Sequence, residues 1–202
     1  MKLVLASKNK KKLVEMNDIL SQLGIEVCSE AEAGVDVEVE ETGSTFEENS
    51  FLKANAVRKA TGLPALADDS GIAVDALGGA PGVHSARYGD DPALDDWGRL
   101  LLLLKNTEQV PDGQRQAQFV SVITLVYPDG RVIQARGEAH GELLREAHGE
   151  GGFGYDPIFY YPPAGKTFAE LTAGEKNQVS HRAKALKLFY EKLCEEGKHA
   201  DQ

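Results

Sequence analysis

Leu63-Pro64-Ala65-Leu66-Ala67-Asp68-Asp69-Ser70-Gly71-Ile72-Ala73-Val74 places two adjacent carboxylates between two apolar runs and then breaks on Ser-Gly. If the stretch is extended, successive side chains leave opposite faces, so Asp68 and Asp69 diverge and only one can enter a given site. A bare carboxylate at the mouth of a buried strand is costly unless a cation or hydrogen-bond donors meet it. That makes the stretch a place for a divalent metal. The same residues also suit a turn in which an aspartate bonds its own backbone.

Upstream, Lys2 to Ala6 reads as a strand, Ser7 to Asn9 as a loop, and Lys10 to Leu23 as a helix with Leu13, Met16, Leu20 and Leu23 on one stripe and Gly24 as its stop. Strand, loop and helix in that order point to an α/β fold. Lys8, Lys10, Lys11 and Lys12 crowd a helix N-terminus that already carries partial positive charge. Helix stability does not account for them. A polyphosphate does, held by N–H groups, Ser7, Asn9 and the ammonium groups; a merely solvated lysine run is the alternative.

Ile25 to Val39 holds a Val-x-Val alternation that predicts a second strand, running into Glu40-Glu41-Thr42-Gly43. The two glutamates are candidates to share a cation with the aspartates. Thr45-Phe46-Glu47-Glu48 is a capping box, opening a helix that ends near Gly62. Phe46, Asn49, Lys53, Ala56 and Ala60 share one face of it, so Lys53 either snorkels past the core or reaches a ligand.

Downstream of the two aspartates, Gly78-Gly79-Ala80-Pro81-Gly82 is a turn cluster. Asp90 to Asn106 reads as a helix, with Pro92 in its first turn and Leu94, Trp97, Leu101 and Leu104 as its stripe. The run Leu100 to Leu104 is too apolar for a solvent-facing helix and calls for a second contact surface, within the fold or across a dimer. Phe119 to Tyr127 and Arg131 to Ala139 form a hairpin around Pro128-Asp129-Gly130. Gly149 to Gly154 fits G-x-G-x-x-G textually, but Tyr155-Asp156-Pro157 disfavours the helix that pattern must open. What remains is a glycine run delivering Phe153, Tyr155 and Asp156 at a loop, residues suited to stacking on and bonding a flat heterocycle. Lys176, Ser180, His181 and Arg182 cluster at or near the start of a last helix whose stripe is Leu186, Phe189, Tyr190 and Leu193, again a cationic helix start suited to an anion or acceptor. Residues 195–202 read as a frayed tail.

The totals narrow the function. With 22 Lys and Arg against 32 Asp and Glu, the net charge of −10 argues against wrapping a nucleic-acid backbone, so an anionic substrate needs a local basic cluster or a metal. Two distant cysteines, Cys28 and Cys194, make no metal pattern and suit a reduced, cytoplasmic protein. No apolar run approaches membrane-spanning length and the opening residues do not form a signal peptide. No linker or repeat divides the 202 residues, which read as one α/β domain, with two lobes allowed.

The blocks Ser7-x-Asn9-x-x-Lys12, Glu40-Glu41-Thr42-Gly43-x-Thr45-Phe46-x-Glu48-Asn49, Ala67-Asp68-Asp69-Ser70-Gly71, Pro81-Gly82-Val83-x-Ser85-Ala86-Arg87-Tyr88, Gly152-Phe153-Gly154-Tyr155-Asp156-Pro157-Ile158-Phe159 and Glu175-Lys176-x-x-x-Ser180-His181-Arg182 occur in this order. Together they closely resemble the inosine/xanthosine triphosphate pyrophosphatases, enzymes that remove deaminated purine nucleotides. The resemblance implies an elongated α/β fold with a mixed sheet and two lobes around a nucleotide-binding cleft. It also implies a homodimer, magnesium, and hydrolysis of ITP, dITP or XTP to the monophosphate and pyrophosphate. By the same resemblance Ser7, Lys8, Asn9, Lys10, Lys11 and Lys12 bind the triphosphate, with Lys53 a further phosphate contact. Asp69 is the acid-base residue and a metal ligand, Glu40 (or its neighbour Glu41) the second ligand, and Ser70 a substrate contact. Phe153, Gly154, Tyr155, Asp156, Lys176, His181 and Arg182 hold the base and nucleotide. The sequence departs from the family at Asp96-Trp97-Gly98, where members often carry Asn near Gly98. The alternatives are a related pyrophosphatase for modified pyrimidine nucleotides and a nucleotide-binding module without turnover.

Overall fold

The computed structural model describes residues 2–200, with side chains described through residue 197. In chain order the elements are β1 (Leu3–Leu5), α1 (Lys10–Gln22), β2 (Val27–Ser29), α2 (Phe46–Thr61), β3 (Ala65–Val74), α3 (Asp96–Asn106), β4 (Gln116–Val126), β5 (Val132–Leu143), β6 (Phe159–Tyr161), β7 (Lys166–Thr167), α4 (Ala173–Val179) and α5 (His181–Ala200). The strands form a mixed sheet in the order β2-β1-β3-β4-β5-β6-β7. β1 pairs in parallel with β2 and β3, while β6 pairs antiparallel with β5 and β7. Among the described residues, no helix is long and apolar enough to cross a membrane.

The chain divides into two compact units, and β3, β4 and β5 each contribute residues to both. The first comprises residues 1–69, 121–137 and 182–202. Its strands sort their side chains by alternation. Leu3 and Leu5 of β1, Leu66 of β3 and Ile123 and Leu125 of β4 pack with Met16, Ile19 and Leu20 of α1 and with Leu186 and Phe189 of α5. The intervening residues, Val4, Ala6, Ala65, Ala67 and Val126, pack on the other face against Ala54 and Val57 of α2. By the same period Asp68 belongs to the α1 and α5 face and Asp69 to the α2 face.

The second unit comprises residues 70–120 and 138–181. Ile72 and Val74, Leu100 and Leu103 of α3, Phe119, Phe159 and Phe168 make its core. The ring of Phe159 packs edge-on to both Phe119 and Phe168.

Several expectations need correction. The alternation over residues 35–39 is not a strand, although its exposure does alternate; β2 stops at Ser29, and the Val37 N–H is satisfied by the Glu30 carboxylate instead of a ladder. The helix expected from Asp90 begins at Asp96, capped by Asp95, whose side chain accepts the Gly98 N–H at 2.7 Å, so Pro92 lies outside it. Its buried seam is Leu100 and Leu103, with Leu104 partly covered. Trp97 and Leu101 are 52% and 48% exposed. A Cβ on Gly98 would come within 2.8 Å of Leu94, which accounts for a glycine there. The last polar cluster is split between two helices, because Ser180 (ψ 160°) interrupts the chain between α4 and α5. The expected fraying does not begin at Glu195, since α5 runs to Ala200; Asp201 and Gln202 lie outside the described residues.

Candidate active site

In the first unit, charge is gathered around the two aspartates of β3. Asp68 is wholly buried. Its Oδ2 accepts from Lys12 Nζ at 2.9 Å and from Arg182 Nη2 at 3.3 Å, and its Oδ1 from Ser121 Oγ at 2.5 Å. Burial alone would push the Asp68 carboxyl upward. The Arg182 guanidinium, Lys12 and the Ser121 hydroxyl overrule it and hold the group well below the usual carboxylate range. Arg182, 1% exposed, also donates to Glu15 of α1. One arginine from α5 thus ties β3 to α1.

Asp69 leaves the other face, as strand alternation requires, and meets Lys53 of α2, whose Nζ is 2.7 Å from Oδ1. The same ammonium lies 2.8 Å from Glu41 Oε1. Lys53 therefore does not snorkel to solvent; two carboxylates hold it. Asp69 is 4% exposed, and its second oxygen, Oδ2, is buried with no hydrogen-bond partner. Burial is the largest influence and raises this carboxyl to about 6 against the pull of Lys53. A buried carboxylate titrating near neutrality, with one open oxygen, is chemically suited to accept a proton or a cation.

The start of α1 is built by Asn9, the N-cap, whose Oδ1 accepts the N–H groups of Lys11 and Lys12. Ser7 Oγ in turn accepts the Asn9 N–H. Lys10 and Lys11 are exposed, and Lys8 pairs with Asp36 at 2.7 Å. No acidic side chain lies in the first turn of α1, so its cationic start is compensated by Asp68 through Lys12 and not along the helix. Of the two glutamates, Glu41 joins Lys53, whereas Glu40 is exposed.

The second unit holds the remaining candidates. Ser70, half-buried, opens its portion of β3. Asp156 Oδ2 accepts both the Phe153 N–H at 2.9 Å and Lys176 Nζ at 2.6 Å, and that ammonium lies 4.8 Å from the centre of the Phe153 ring. Gly154 (φ +60°) and Gly152 (φ +67°) supply the left-handed backbone the loop needs. The Tyr155 hydroxyl donates to Ser85 O at 2.7 Å, inside the core. The His181 ring stacks on Phe119 with centroids 4.7 Å apart.

Sequence reasoning missed Glu15, Ser121 and the hub role of Asp68. One signal for them existed: Lys12, Glu15, Met16 and Ile19 fall at i, i+3, i+4 and i+7, so two opposite charges ride the buried stripe of a helix.

A divalent cation was expected at these carboxylates. Among the described residues no three His, Cys, Asp or Glu side chains converge as a self-sufficient metal cage. Magnesium does not require one, since it is commonly held by one or two carboxylates with water and substrate phosphates. The open, buried Oδ2 of Asp69, with Glu41 on the same ammonium, fits that pattern.

The profile of the Ham1 family matches residues 3–192. The chain belongs to the Ham1 family. Relatives named dITP/XTP pyrophosphatase include that of Haemophilus ducreyi, 52% identical over 194 residues covering 95% of this chain and 98% of the relative. The protein of that name in Escherichia coli K12 is 48% identical with the same coverage. Among solved structures, a HAM1 protein from Coxiella burnetii is 44% identical and superposes with a TM-score of 0.87, covering 96% of this chain and 99% of its own. The Staphylococcus aureus Ham1 protein gives 0.85 at 41% identity, covering 97% and 100%. The mixed α/β fold is that of Ham1 structures, and the resemblance carried by the ordered blocks is borne out at the level of the family.

Proposed function

We propose that this chain hydrolyses non-standard purine nucleoside triphosphates, ITP, dITP or XTP, to the monophosphate and pyrophosphate, and so keeps deaminated purines from nucleic acids. The observation that carries the reading is Asp69: a buried carboxylate with one unpartnered oxygen, raised to about 6 and set on an ammonium shared with Glu41. Relatives at about half identity over nearly the whole chain, named dITP/XTP pyrophosphatase, support the substrate class.

In this proposal Asp69 accepts the proton of a water attacking in line at the α-phosphorus. Asp69 with Glu41 or Glu40 would hold magnesium, which when bound neutralises phosphate oxygens and polarises water. Lys12, Lys53 and the α1 start, from Ser7 to Lys11, bind the triphosphate and stabilise the departing pyrophosphate. Asp156 and Lys176 brace the loop that presents Phe153 to the base, and Ser70, Gly154 and His181 complete the nucleotide contacts; Tyr155, bonded to Ser85 O, and Arg182, paired with Asp68 and Glu15, hold the surrounding backbone in place. A homodimer and a cytoplasmic location belong to the same proposal.

Product analysis tests it. Incubated with magnesium and ITP, dITP, XTP, GTP, ATP and modified pyrimidine triphosphates, the protein is expected to release pyrophosphate and monophosphate from the first three. Asp69→Asn, which keeps size and removes the charge, should lower turnover by about 10²-fold or more with the fold intact. Preferential cleavage of pyrimidine nucleotides, or tight binding of ITP without release of pyrophosphate, would overturn the reading.

A further inference from the structure

Lys53 stands where two carboxylates converge, and the local fold fixes it there. Its helix, α2, is opened by a capping box between Thr45 and Glu48. The segment carrying Glu41 is pinned to that helix by Asn49, wholly buried, whose Oδ1 accepts the Gly43 N–H at 2.8 Å and whose Nδ2 donates to Gly43 O at 3.3 Å. A Cβ on Gly43 would come within 2.6 Å of Asn49 Oδ1, so the clamp closes only on glycine. Asp69 reaches the same ammonium from β3, keeping Oδ2 unpartnered. The arrangement therefore presents a cation site already served by a side-chain cation.

We propose that Lys53 is the resident counter-ion of Asp69 and Glu41 and opposes a divalent cation there until a triphosphate draws the ammonium away. This rests on the pyrophosphatase reading above. A second positive charge brought to oxygens that an ammonium already holds meets repulsion that low local dielectric strengthens. Moving Lys53 off without a new partner would strand a charge in a largely buried place. Triphosphate oxygens supply that partner, since charge-assisted bonds to phosphate are among the strongest an ammonium makes. Metal and nucleotide then bind cooperatively, and by linkage each tightens the other. Lys53 is thus a positioning residue for the metal as well as a phosphate contact.

The test is metal affinity without nucleotide. Free Mn²⁺ is counted by electron paramagnetic resonance in titrations of wild type, Lys53→Met, Lys53→Arg and, as a control for bulk charge, Lys59→Met on the exposed end of α2. Lys53→Met is expected to bind Mn²⁺ about tenfold tighter or more, within the usual range of coupling, while the other two stay within about threefold of wild type. No gain in Lys53→Met, or an equal gain in Lys59→Met, overturns the inference. Should Lys53→Met fail to fold, reductive methylation of wild type read by mass spectrometry decides. Saturating Mg²⁺ should raise the modification rate of Lys53 several-fold, and an unchanged rate overturns the inference. Wild-type turnover of ITP is measured alongside. Its absence sinks the pyrophosphatase reading, whereas turnover with no Lys53→Met gain sinks only the role of Lys53.

Discussion

Lys12 Nζ lies 2.9 Å from Oδ2 of Asp68, the lysine in the first turn of α1 and the aspartate wholly buried on β3. A lysine opposed to its own helix dipole is therefore secured by a carboxylate beneath it, and any phosphate bound there competes with that pair.

Lys12→Ala is expected to raise the Michaelis constant for ITP and also to lower stability, by about 1–3 kcal/mol. The loss is moderate because Arg182 and Ser121 still serve Asp68. Helix-dipole reasoning alone predicts unchanged or higher stability. Urea denaturation beside steady-state kinetics separates the two, since unchanged stability would mean the buried pair contributes nothing.

Arg182→Met removes the cation shared by Asp68 and Glu15. An uncompensated buried charge should cost about 3–5 kcal/mol. Arg182→Met combined with Asp68→Asn should recover part of that loss, because the stranded charge is gone. A double mutant no more stable than the single one would assign the arginine to packing alone.

Asp69 sets a pH dependence of stability in the absence of metal. Its carboxyl rises from 3.8 to about 6 on folding, so between those values the folded state holds more protons than the unfolded one. Stability falls as pH rises through that window, by up to about 3 kcal/mol from this group. Asp68, held low, acts oppositely: its contribution is present above the unfolded value and is lost on further acidification. Denaturation in chelator at pH 4.5 and 7 should show the wild type gaining on Asp69→Asn at the lower pH. A constant difference between the two proteins would rule out a raised Asp69.

Gly152→Ala should disable the loop of the second unit. Its φ of +67° disfavours a side chain, and the added Cβ would fall on Asp156 Oδ2, the oxygen that holds both Phe153 N–H and Lys176. Expected is at least a tenfold rise in the Michaelis constant for ITP with a smaller change in turnover number. Unaltered kinetics would remove the Asp156 brace from substrate binding.

Helix starts were legible because their chemistry is local. Thr45 with Glu48 announces α2, and the periodic run after the Ser7 to Asn9 loop opens α1; both begin where expected. Pro92 misleads because the Asp95 cap, three residues before Gly98, competes for the same helix and wins. Val35, Val37 and Val39 alternate as a strand does, yet a strand needs a partner, and no local pattern reports whether one is there. The same limit governs the site. Period two told that Asp68 and Asp69 part company, but their partners lie far along the chain: Ser121 is 53 residues from Asp68 and Arg182 is 114. Only the fold brings them in.

That separation bears on synthesis. Asp68 emerges from the ribosome well before the guanidinium paired with it, which is carried by α5 and lies 114 residues further along the chain. A nascent or truncated chain lacking α5 has the β3 carboxylate, its Lys12 partner and the apolar face meant for Leu186 and Phe189, but no arginine and no cover. The first unit reaches its final form only once α5 has been made, so loss of this helix should leave a chain prone to capture by chaperones and proteases, however intact its upstream sequence.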